Sequence, residues 1–119
     1  MIVLFAPVIQ EYFYELENIL YTKGYYSYEY EAIEYVDSLI FEIKNNLPKR
    51  QHRPAPPFYN KYGKDLYYAV FKKNRRTSYY AFFSKYDDNG QTVFLVCYIG
   101  NNHTDAQNLI NNPINQLIN

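Results

Sequence analysis

The hydrophobic period of this chain changes once along its length, and that change restricts the fold to a mixed helix–sheet architecture. Ile9, Phe13, Leu16 and Leu20 recur at helical spacing, and Ile33, Val36, Ile40, Ile43 and Leu47 repeat the pattern further on. Gly24 falls between the runs as a C-cap glycine. Ser27 is placed to N-cap the second helix, with Glu29 and Glu31 near its positive end. So short a connection makes the two helices an antiparallel pair. Pro48, Pro54, Pro56 and Pro57 then exclude regular helix, and residues 48–64 read as a basic loop, alone or with an extended edge, crossing the surface.

Beyond that loop the period is that of strands. Residues 66–72, 77–85 and 92–99 are rich in aromatic and β-branched side chains. The first two are joined by a turn at Lys73-Asn74-Arg75, the last two by a hairpin turn at Asp87-Asp88-Asn89-Gly90. The run over 92–99 is apolar almost throughout, as suits a central strand covered on both faces, and Gly100 breaks it. Residues 2–6, closed by Pro7, form a short apolar run expected to be a buried strand. Thr104-Asp105-Ala106-Gln107 has capping-box spacing and predicts a short helix to about Ile110. The Asn-rich residues 111–119 read as a frayed tail. The fold class is therefore α+β, in the order β-α-α-β-β-β(-α). A helical hairpin covers one face of a small, mainly antiparallel sheet, in a single domain over residues 1–110.

Composition narrows the setting. The chain has 119 residues, enough for one core, and its 48% hydrophobic and 20% charged content argues against disorder. It has no run long enough to cross a membrane, and its first residues lack the basic and small-residue marks of a secretion signal. A single cysteine, Cys97, excludes a disulfide framework and fits a reducing cytoplasm. Formal charge is zero, yet it is segregated. Residues 1–43 carry eight acids and one base, whereas residues 44–85 carry eleven bases and only Asp65. A basic working surface on an acidic scaffold points to an anionic partner. Sixteen tyrosines and no tryptophan suit half-buried sheets and partly wet interfaces.

Several chemistries find no support. His52, His103 and Cys97 lack paired metal-ligand spacing, no glycine-rich phosphate loop occurs, and no serine stands in a nucleophile elbow. Neither a metal nor a cofactor is expected. The informative stretch is Lys72-Lys73-Asn74-Arg75-Arg76, with Lys61 and Lys64, beside the aromatic run Tyr79-Tyr80-Ala81-Phe82-Phe83. Such bases neutralise phosphates, and such rings can stack on unpaired nucleobases. The plainer alternative is a solvated turn beside core aromatics. His103 follows the last strand, where an imidazole can exchange protons near neutral pH or can simply bond the backbone. Tyr98 is by default a core residue.

Three segments carry a resemblance: residues 74–83 (Asn-Arg-Arg-Thr-Ser-Tyr-Tyr-Ala-Phe-Phe), residues 98–103 (Tyr-Ile-Gly-Asn-Asn-His) and Ala106-Gln107. Together with the element order, they resemble the RelE/ParE superfamily of small bacterial toxins from type II toxin–antitoxin systems, in particular a RelE-like subgroup, over roughly residues 1–110. The resemblance implies a cytoplasmic toxin neutralised by a cognate antitoxin. RelE-like members cut messenger RNA on the ribosome; ParE-like members poison DNA gyrase. For RNA cleavage it implies that Arg76 stabilises phosphate, that His103 is the acid or base, and that Lys61, Lys64, Lys72, Lys73 and Arg75 hold RNA. This chain departs from the family in two places. It has no tyrosine in the stretch through Asn108 where RelE-like enzymes often carry a catalytic one, and the arginine found within the third strand of some members is shifted to Arg76. An mRNA endonuclease is the expectation. The alternatives are a gyrase inhibitor without nuclease activity, or a non-enzymatic module whose basic hairpin binds an acidic protein or nucleic acid.

Overall fold

Pro7 removes a backbone donor just where a helix does not need one, and the chain turns at that point from strand into helix. In the computed structural model, which describes residues 1–110, β1 (Ile2–Phe5) leads into α1 (Pro7–Thr22) and α2 (Glu29–Asn46). There follow β2 (Arg53–Pro54), β3 (Tyr67–Lys72), β4 (Ser78–Asp88), β5 (Gln91–Asn101) and α3 (Ala106–Ile110), with 3₁₀ turns at Leu47–Lys49 and Pro57–Tyr62. The tail expected over 111–119 lies outside the described residues. One five-stranded sheet runs β1-β5-β4-β3-β2, with β1 parallel to β5 and every other pair antiparallel. The expected α+β order is the observed one, with β2 as the extended edge of the proline-rich loop.

Details of that expectation are corrected by packing. In α2 the buried stripe is Ala32, Val36, Leu39 and Ile43, rotated from the sequence reading, so that Ile33 is exposed and Ile40 half-buried. Ser27 is not the cap. Tyr28 holds that place, and Glu31 reaches back to accept its backbone N–H at 3.2 Å. β1 is an edge strand with Ile2 and Leu4 outside and Val3 inside, because only its helix-facing side is covered. Gly100 lies within β5, paired with Tyr80, instead of ending the strand. Thr104 does not cap α3, whose first turn is closed by the Asp105 carbonyl accepting from Asn108 and Leu109. The hairpin between β4 and β5 is tighter than expected. Asn89 and Gly90 both have positive φ (53° and 84°), and Asp88 already pairs with Gln91.

Two cores result, one on each sheet face. Between helices and sheet, Ile9, Phe13, Val36, Leu39 and Ile43 meet Phe71, Tyr79, Ala81, Phe83 and Phe94. On the opposite face Tyr59, from the segment read as a surface loop, is fully buried against Phe82, Tyr68, Leu66 and Leu109. Tyr79, Phe82 and Phe83 of the aromatic run of β4 thus fill these cores, while Tyr80 is half-buried at the edge of the second. Among the described residues no helix is long and apolar enough to cross a membrane.

Burial leaves a titration signature. Desolvation first, and then neighbouring tyrosines or Asp105, hold the hydroxyls of Tyr12, Tyr59, Tyr79 and Tyr98 well above the ordinary phenol range. The unfolded chain ionises these groups near pH 10, the folded one only at higher pH, so their contribution is intact below about pH 10 and is lost as pH rises past it. A spectrophotometric phenolate titration should therefore show these four ionising only with alkaline unfolding. Simple titration of all tyrosines near pH 10, with the fold retained, would contradict the packing.

Candidate functional site

The turn between β3 and β4 is built by Asn74. Its side-chain oxygen accepts the backbone N–H groups of Arg76 (3.0 Å) and Thr77 (2.9 Å), while Lys73 N–H donates to the Thr77 carbonyl at 2.9 Å. A second asparagine sets the loop after β5: Asn101 Oδ1 accepts from the backbone of His103 (2.9 Å) and Thr104 (3.1 Å). A third joins the two loops. Asn102 Nδ2 donates to the Arg76 carbonyl at 2.9 Å, and its Oδ1 accepts Ser78 N–H at 2.8 Å. The consequence is proximity. Thr77 Oγ1 and His103 Nε2 lie 3.2 Å apart, bringing the Arg76 turn beside the His103 loop.

Both Arg76 and His103 line one cleft of about 440 Å³, open to solvent. Its floor and far wall come from the helical hairpin: Leu16, Ile19 and Leu20 of α1, Tyr25 and Tyr26 of the connection, and Tyr35 of α2. The Tyr35 and Tyr79 hydroxyls are 3.0 Å apart there, and Tyr79 is held protonated by burial and by that bond. Tyr25 is 70% exposed, an aromatic face free to meet a ligand. Arg76 and His103 are themselves exposed. The cleft thus combines a guanidinium, an imidazole and tyrosine hydroxyls, a set suited to an anion and to proton exchange.

The remaining basic residues do not gather at this cleft. Lys73 is tied to α2, its ammonium 2.7 Å from Ser38 Oγ and over the Tyr35 ring at 4.7 Å; burial lowers its pKa, with Glu42 opposing. Arg75 is exposed at the turn. Lys72 alternates away from Phe71 and so lies on the other face of the sheet. Lys61 belongs to the 3₁₀ turn on that same opposite face, its ammonium 3.9 Å above the Phe58 ring, and Lys64 follows the turn, exposed. The other histidine is structural: His52 Nε2 is 2.8 Å from the Leu47 carbonyl and its ring packs on Phe83 and Phe94. Cys97 is half-buried, its thiol pushed up by desolvation. Among the described residues no group of three or more His, Cys, Asp or Glu is placed to hold a metal.

What sequence reasoning missed is the asparagine framework, together with Thr77 and Tyr35; the sequence offers Tyr79 as a stacking ring and not as the hydroxyl partner of Tyr35. The signal was present in Asn74 at a turn and Asn101-Asn102 at a strand end, where asparagine side chains bond nearby backbone. Compared with protein-family models, with curated proteins and with solved structures, the chain matches none.

Proposed function

We propose that this protein is the toxin of a type II toxin–antitoxin pair, of the RelE/ParE kind, and that it cleaves messenger RNA on the ribosome in the cytoplasm until a cognate antitoxin neutralises it. One observation carries the reading: Arg76 and His103, distant in sequence, share a single tyrosine-walled cleft with Thr77 against the imidazole. In the reaction, the tautomer that turns Nε2–H of His103 toward Thr77 Oγ1, 3.2 Å away, leaves the lone pair on Nδ1. That nitrogen takes the 2′-hydroxyl proton as the oxygen attacks the adjacent phosphorus. Arg76 stabilises the crowded anionic transition state, and the imidazolium returns the proton to the leaving 5′-oxygen. The products are a 2′,3′-cyclic phosphate and a 5′-hydroxyl, with no metal required. Lys61, Lys64 and Lys72, away from the cleft, together with Arg75 at the turn, are available to ribosomal RNA. Lys73, held against Ser38 and the Tyr35 ring, borders the cleft.

Expression of the chain alone should arrest bacterial growth, and expression with the neighbouring antitoxin-like reading frame should restore it. Harmless expression at high level would remove the toxin reading.

A further inference from the structure

Asp105 is the buried charged residue among those described, 3% exposed, and it does not line the cleft. A carboxylate so deeply buried needs compensation, and here hydrogen bonds supply it in place of a cation. Oδ1 accepts from the hydroxyls of Tyr59 (2.9 Å) and Tyr98 (3.3 Å), which rise from the far face of the sheet. Oδ2 accepts from Thr104 Oγ1 (2.8 Å) and from the backbone N–H of Asn101 (3.1 Å). Gly100 makes room for it, since any side chain there would overlap the carboxylate.

Those bonds lead to His103. The Asn101 amide is anchored on Asp105, and the Asn101 side chain in turn accepts the His103 and Thr104 amides. The loop is closed again by the Asp105 N–H on the Asn101 carbonyl at 2.8 Å. We propose that Asp105 is the positioning residue of the His103 loop, and that Tyr59, beneath the sheet, fixes the carboxylate in its place. The inference rests on the proposed function only for what the positioning serves. Its geometry is a property of the fold.

The test uses the full chain. Amide exchange at His103 and Thr104 is followed by NMR in Tyr59→Phe and Asp105→Asn, with Tyr68→Phe, from the same buried cluster, as control. Loss of one bond in the relay should speed exchange of both amides about 5- to 10-fold, while Phe82 and Ala81 in β4 keep their rates and Tyr68→Phe changes nothing. In a cleavage assay the two relay variants should lower kcat with KM held within about twofold, the mark of a displaced reacting group and not of lost binding. If Asp105→Asn fails to fold, Tyr59→Phe decides alone, for it removes a hydroxyl and keeps the ring. Wild-type exchange at His103 and Thr104 in folded Tyr59→Phe would overturn the proposal. Faster exchange in a protein that never cleaves RNA would leave the positioning standing and sink the nuclease reading instead.

Discussion

His103→Gln is expected to slow RNA cleavage by about 10²–10⁴-fold, the usual worth of general acid–base catalysis. The side chain is exposed and its contact is with Thr77 Oγ1, so the fold loses little when the ring goes. Glutamine keeps a polar group within reach of Thr77 but exchanges no proton near neutral pH. The backbone bond from His103 N–H to Asn101 is unaffected by the change. Thermal stability and antitoxin binding should match the wild type while cleavage on purified ribosomes collapses. Cleavage at the wild-type rate would remove His103 from the mechanism.

Arg76→Ala should cost about 10²–10³-fold in kcat, as loss of a preorganised transition-state donor does elsewhere. Its guanidinium is exposed, so stability should change by no more than about 0.5 kcal/mol. The backbone groups that knit the turn, N–H to Asn74 and C=O to Asn102, survive in alanine. Arg76→Lys should recover only part of the rate, since a lysine offers a point charge and not a two-pronged grip on phosphate. The double variant Lys61→Ala with Lys64→Ala, on the opposite face, should retain kcat and lose salt-sensitive ribosome binding. An equal loss of kcat in that double variant and in Arg76→Ala would dissolve the distinction between cleft and outer surface.

The elements were legible because their periods differ. Val36, Ile43 and Leu47 sit where helical spacing put them, and Asn89-Gly90 makes the turn its positive φ values allow. Less legible was which of two adjacent apolar stripes of α2 faces the sheet. Ala32 and Leu39 are buried and Ile33 is exposed, while Val36 and Ile43 belong to both stripes; spacing alone does not separate faces rotated by only about 50°. The loop over 48–64 hid Tyr59 because proline content reports backbone conformation and says nothing of a ring turned inward. At the candidate site, residue type and place marked the basic run over 72–76 and His103 at a strand end, and the family resemblance singled out Arg76 within that run. Their common cleft was not legible, since it depends on Asn102 bridging two loops and on Asn101 hanging from Asp105. The basic residues gave the converse lesson. Charge is additive along a sequence, but the sheet sends Lys72 and Lys61 to one face and Arg76 to the other.

The central claim is tested most directly by incubating the purified chain with programmed ribosomes and mapping messenger cleavage, beside a gyrase supercoiling assay with the same preparation. The account predicts metal-independent cuts that leave 2′,3′-cyclic phosphate ends, absent with His103→Gln or Arg76→Ala, and supercoiling left unchanged. Intact messenger with supercoiling inhibited would contradict it, and would make the tyrosine-walled cleft a gyrase-binding surface with no nuclease chemistry.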